Sequence, residues 1–251
     1  MPIHYARSLT AEDRSVRSDR HLGFALAFVA GAANAGAFLA VGMYTSHMTG
    51  IVSSMADHLA LGQWALALGA VGAVLSFLLG AMTSAVMINF ARRRGLRSRY
   101  ALPLLLEALL LLLFGVLGAR LASVPGLFVP LTVMLLCFMM GLQNAVITKI
   151  SGAVVRTTHL TGVVTDLGIE LGRLIYWNRL RMPDEAPVLA DRDKLAMLAT
   201  LCLFFLIGGV SGALGFKHVG YLATLPLAAL LVALCVVPVV DDLRSPRLPA
   251  R

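Results

Sequence analysis

The chain has 251 residues, of which 59% are hydrophobic and 14% charged, and its mean hydropathy is +0.84. Soluble domains carry about 25% charged residues, so this composition excludes a soluble globular enzyme and points to an integral membrane protein. The formal net charge of +8 comes from basic residues placed between apolar runs, beside the lipid headgroups, which argues against a nucleic-acid partner.

Residues 1–20 read as a polar cytoplasmic tail holding Arg7, Arg14, Arg17 and Arg20. The apolar run over 21–42 is longer than the ~7–15 residues of a signal-peptide core, so a retained first helix is expected. Runs at 64–90, 101–119, 126–148, 195–216 and 219–240 follow, each close to the ~20 residues that cross a hydrocarbon core. Residues 241–251 form a C-terminal tail. Cys137, Cys202 and Cys235 lie inside apolar runs with no Cys-x-x-Cys pair, so they read as small packing residues.

With both termini in the cytoplasm, 19 Lys and Arg fall on inside segments and two, Arg120 and Lys217, on outside ones. That distribution obeys the positive-inside rule. Two stretches, 43–63 and 150–180, are too polar to face lipid. Each is expected to form a short re-entrant or broken helix starting near a Thr-Gly pair, with Thr49 or Thr161 as its cap.

The chain repeats itself. Gly31-Ala-Ala-Asn34-Ala35 precedes Thr45-Ser-His47-Met-Thr49-Gly50, and Gly141-Leu-Gln-Asn144-Ala145 precedes Thr157-Thr-His159-Leu-Thr161-Gly162. Downstream, Phe77-Leu-Leu-Gly80 echoes Phe205-Leu-Ile-Gly208, and Tyr100 before a proline-containing run echoes Tyr221. The expected fold is all-α, with six transmembrane helices in two three-span repeats, 21–121 and 122–240. An odd number of spans per repeat inverts the second half relative to the first. The segment from Gly31 to Val52 resembles the YoaK-like family of bacterial multi-pass membrane proteins, and residues 141–172 resemble that family's second motif. The resemblance implies a bacterial inner-membrane location and no particular activity, since the family is of unknown function.

Polar residues at membrane depth usually serve function. His47 and His159 lead, since imidazole donates, accepts and binds protons near neutral pH. Thr45, Thr49, Thr157 and Thr161 flank them with hydroxyls, and Gly50 and Gly162 admit a ligand close to the backbone. A helix starting there favours an anionic or polar group. Asn34 and Asn144 suit either that site or interhelical bonding. Glu107 and Asp166 are proton-coupling candidates, although Glu107 can also sit near the interface in water. Glu170 and Arg173, three apart, form an ordinary helical pair. Glycines 208, 209, 212 and 215 read as close-packing residues.

No phosphate-binding loop, His-Glu-x-x-His or Gly-x-Ser-x-Gly occurs, and no cofactor or metal is expected. The leading expectation is a transporter or channel for a small polar or anionic solute, with the two Thr-x-His-x-Thr-Gly motifs as its central site and a proton gradient as driver. The alternatives are an intramembrane enzyme using the two histidines with Glu107 or Asp166, and a structural membrane protein. Expected partners are lipid and a small-molecule solute, with a homo-oligomer left open.

Overall fold

In lipid, a spanning segment must satisfy every backbone N–H and C=O internally, and an apolar run does so as a helix. The computed structural model describes residues 16–96, 98–120, 125–150, 160–176 and 187–244. Among them are helices α1 (Val16–Val41), α2 (Met48–Ala60), α3 (Trp64–Arg93), α4 (Ala101–Arg120), α5 (Pro125–Ile150), α6 (Leu160–Ile175), α7 (Arg192–Val219) and α8 (Thr224–Arg244). A single 3-10 turn, Gly220–Ala223, joins α7 to α8. No strand occurs among the described residues.

Among the described residues, five stretches are long and apolar enough to cross a membrane: Ser18–Val41, Trp64–Arg93, Ala101–Ala119, Val129–Lys149 and Arg192–Asp242. The last covers both α7 and α8. The protein is therefore a helical multi-pass membrane protein. Its helix ends lie within a few residues of the expected runs, except that α1 starts at Val16, inside the segment read as a tail. Both α4 and α8 carry proline at their third position, Pro103 and Pro226, where the missing N–H costs no helical bond.

The helices pack in pairs: α1 on α7, α3 on α5, and α4 on α8, with α1 against α5 and α4 against α5 joining them. Short α2 lies on α3, and short α6 on α7. Helices α1 and α7 run parallel, since Phe24 stacks on Phe204 (5.5 Å) and Gly36 meets Phe216 further along both. Helices α3 and α5 are also parallel: Gly72 meets Met134, and Lys149 reaches Asn89 near the far ends (3.5 Å). Helices α4 and α8 are antiparallel. The Ser98 N–H and hydroxyl, just before α4, donate to Asp242 Oδ2 (2.9 and 2.6 Å), while Gly118 meets Tyr221 at the other end.

One four-residue pattern makes the first two pairings close. Phe28-x-x-Gly31 on α1 crosses Phe205-x-x-Gly208 on α7, and Phe77-x-x-Gly80 on α3 crosses Phe138-x-x-Gly141 on α5. At each glycine, an added Cβ would overlap the carbonyl oxygen of the phenylalanine opposite: Gly31 with Phe205, Gly208 with Phe28, Gly80 with Phe138, and Gly141 with Phe77. The glycine hydrogen therefore points at that oxygen, the arrangement of a weak Cα–H···O contact. Backbone cannot yield as a flexible side chain does, so alanine at any of the four must force the helices apart. Gly209, beside the same crossing, has room, since its added Cβ meets only Gly31 O at 3.8 Å. Gly31→Ala and Gly141→Ala should each lose about 1–3 kcal/mol, the usual cost of overpacking, while Gly209→Ala stays near wild type. Reversible unfolding in mixed detergent micelles measures this; equal losses at all three positions would count against the close crossings.

Candidate functional site

The first motif is built at the broken end of α1. Helix α1 stops at Gly42, whose φ of +73° is natural only for glycine and whose N–H still bonds Phe38 O (2.9 Å). The chain then turns back on itself. The Ser46 N–H and hydroxyl donate to Asn34 Oδ1 (3.5 and 3.1 Å), so an asparagine only 8% exposed anchors the returning turn. Phe38 and Tyr44 stack at 4.8 Å outside it.

His47 then becomes the N-cap residue of α2, with φ −93° and ψ 72° and no side-chain cap bond. The sequence placed the cap at Thr49. Instead the cap falls two residues earlier, so α2 begins at Met48 and Thr49 stands exposed within its first turn. Gly50 has a different reason from the one expected. A Cβ there would meet His47 Nδ1 at 2.5 Å, so glycine makes room for the imidazole to lie over the first turn. Thr45 is buried, and its hydroxyl has no hydrogen-bond partner among the described residues.

His47 separates two clefts. One, of about 520 Å³, lies between α2, α3 and α5, lined by Met43, Gly50, Ile51, Ala73, Val133 and Met134 among others. The other, of about 580 Å³, lies between α1 and α7 and holds Asn34, Tyr44, Ser46 and His47 together with Leu160 and Thr161 from the start of α6. The second cleft thus brings residues of both motifs to one place. Apart from these polar groups, its walls are mainly Phe38, Leu39, Phe205, Leu206 and Val210.

Of the second motif, Thr157 and His159 lie outside the described residues. Thr161 and Gly162 are the second and third residues of α6, so Thr161, like Thr49, sits inside the helix rather than capping it. Asn144 donates to Met140 O one turn back (3.0 Å), and Thr148 donates to Asn144 O (2.7 Å).

The acidic candidates separate. Asp166 is 47% exposed in its side chain and lies 3.6 Å from Lys194, and it does not line the shared cleft. Glu170, one turn on, is fully buried. It takes Arg173 Nη1 at 2.9 Å, the Asp191 N–H at 3.0 Å and Lys194 Nζ at 3.5 Å, fastening α6 to the start of α7. The i, i+3 pair is as expected, but Lys194 and the Asp191 amide are additions that only the fold brings near. Glu107 is 0% exposed, which removes the solvated alternative, and it too stands apart from the clefts. No group of three or more His, Cys, Asp or Glu able to hold a metal occurs among the described residues.

Sequence reasoning missed Ser46 and Tyr44 as parts of the site. Ser46 was visible as a motif residue, but only the return of the chain beneath Asn34 gives it a partner. Neither a curated protein nor a solved structure matches the chain. A family does match, over residues 22–237, which takes in α2 to α7 entire and most of α1 and α8; the chain belongs to the family described as "Protein of unknown function (DUF1275)".

Proposed function

We propose that the protein is a transporter or channel for a small polar or anionic solute, built as two inverted repeats of three membrane-crossing helices: α1, α3 and α4, then α5, α7 and α8. The pattern of contacts supports the repeat. Exchanging the halves turns the α1–α7 pair into α5–α3 and the α2–α3 pair into α6–α7, and maps α4–α8 and α1–α5 onto themselves. The two crossings made by the four Phe-x-x-Gly segments obey the same exchange. So do the tethers of the short helices: His58 Nδ1 pairs with Gln63 Oε1 (2.7 Å) at the cap of α3, and Glu170 takes the Asp191 N–H at the cap of α7. Parallel packing of α1 on α7 fits an even number of crossings between their starts. The distribution of basic residues supports both termini lying in the cytoplasm, and the family resemblance supports a bacterial inner membrane.

The observation that carries the transport reading is the shared cleft, where Asn34, Ser46 and His47 of one half meet Thr161 of the other. The first-turn amides of a helix have no intrahelical acceptor, and two helices, α2 and α6, begin beside this cleft. Such ends favour a carboxylate or other anion. The apolar walls favour a solute that also carries an apolar part.

Binding of a panel of small carboxylates to the protein in lipid nanodiscs, read by thermal shift and calorimetry, tests the site. His47→Ala and Thr161→Ala should each weaken binding about tenfold or more, the loss of one hydrogen bond to a charged group at about 1.5–3 kcal/mol. His218→Ala, at the exposed end of α7, should leave it unchanged. Unaltered affinity in both site variants would remove these residues from the site.

The topology has its own test, in a chain whose three cysteines are replaced by alanine. Leu61→Cys should react with an impermeant maleimide from outside spheroplasts, and Arg94→Cys only after the membrane is opened. The reverse pattern would overturn the orientation.

A further inference from the structure

Glu107 belongs to neither motif and neither cleft, yet it is the most costly side chain in the bundle. It lies on the face of α4 shared by Leu104, Ala108 and Leu111, all buried. The opposing face of α8 presents Leu227, Leu231 and Cys235, also buried in the same core. Its place along the pair is central. Contacts tie α4 and α8 at Ser98 and at Gly118, nine residues before Glu107 and eleven after it. Neither carboxyl oxygen has a hydrogen-bond partner among the described residues.

The charged and titratable groups of the packed helices lie elsewhere, with one exception. On α8, Cys235 lies in the same buried core as Leu104 and Ala108, while Asp241, Asp242 and Arg244 are in the last turn, where Asp242 holds Ser98. On α5, Cys137 packs with Ile51 and Ala73, and Lys149 reaches Asn89. On α3, Arg92 and Arg93 are exposed in the last turn. On the 3-10 turn, Tyr221 packs at Gly118 and Phe114.

A carboxylate with no counter-charge at this depth is strongly disfavoured, so something neutralises it. A bound metal cation needs several oxygen ligands, about six for the hard divalent ions, and among the described residues no group of three or more His, Cys, Asp or Glu could supply them. A proton needs no further ligand. We propose that Glu107 is a buried proton-binding site, one per chain. A proton joins one carboxylate oxygen to give the neutral acid, and leaves to water when the bundle opens. The singleness follows from the start points of α4 and α8. Aligning Ala101-Leu-Pro103-Leu with Thr224-Leu-Pro226-Leu places Leu230 opposite Glu107 in the other half, so the second half has no such acid. Within the transport reading, on which this last use depends, Glu107 is the group that couples one proton to each cycle.

Proton binding is tested without any solute. Infrared spectra of the protein in lipid vesicles near neutral pH should show the carbonyl stretch of a protonated carboxyl, shifted in D2O. Glu107→Gln should abolish the band, and Glu170→Gln, which removes an ion-paired carboxylate, should leave it. Glu107→Leu serves if the Gln variant folds poorly. Leucine already fills the matching position, and removing a buried polar group that lacks a hydrogen-bond partner removes its desolvation cost, so this variant should fold at least as stably as wild type and lack the band. No band in the wild type, or a band that survives both substitutions, would overturn the proposal. Either result leaves solute binding at His47 and Thr161 to be judged by its own experiment.

Discussion

Lipid tails are as apolar as leucine, so α1 gains little by hiding its side chains against α7, and attraction between membrane helices has to come from fit. At the Phe-x-x-Gly crossings that fit is backbone against backbone, glycine on one helix against a phenylalanine carbonyl on the other, made twice at each crossing. Glycine loses more conformational freedom on folding than any other residue, and here that cost is offset by an approach no other residue permits. The two crossings fix α1 to α7 and α3 to α5. These pairs carry the short helices on their flanks, since α2 rests on α3 and α6 on α7. The position of each motif therefore depends on glycines that touch no ligand.

The same crossings explain why polar groups collect where they do. Asn34 follows Gly31 by three residues and Asn144 follows Gly141 by three, so each amide stands about one turn beyond a backbone contact, where the helix surfaces part. In the first half the returning chain fills that opening with Ser46. His47 is held between two clefts by three small constraints: the turn permitted by Gly42, the anchor at Asn34, and the space left by Gly50. None of these is strong alone. Together they place an exposed ionisable ring between two clefts whose walls are mainly apolar.

Much of this was legible in the sequence, and the misses have physical causes. The helical class and the approximate extent of the apolar helices followed from run length alone, because lipid permits little else. The repeat was legible through Thr-x-His-x-Thr-Gly and the Gly-x-x-Asn pairs. Phe77-x-x-Gly80 and Phe205-x-x-Gly208 were recognised as echoes, but Phe28 and Phe138 were hidden among other apolar residues. What sets them apart is a carbonyl, which is common to every residue type. The cap was misplaced because threonine is a good capping residue by composition, whereas the local turn assigns the N-cap position to His47, which makes no side-chain bond there. Glu107 could not be placed in depth, since helical periodicity gives the face and not the burial. Asp166 and Glu170, four apart on one helix, looked alike. Only the approach of α7 leaves one buried at a hub of donors and the other half in solvent.

On the proposed transport reading, differences between the two halves matter, and they are concentrated at few places. Short helix α6 is fastened to α7 by a buried carboxylate that takes one cation, Lys194, and the Asp191 amide, whereas α2 is fastened to the cap of α3 by one exposed His58–Gln63 bond. Charge-assisted bonds are roughly twice as strong as neutral ones, and exposed pairs hold little. On the inverted-repeat reading the α6 side, facing the cytoplasm, is therefore the firmer of the two closures. Glu107 breaks the symmetry a second time, at the middle of the α4–α8 pair, where one half has an acid and the other a leucine. The scaffold is thus close to symmetric in its backbone contacts and asymmetric in its charges. On the inverted-repeat reading, the first property makes two alternative closures comparable, and the second biases which of them is populated at rest.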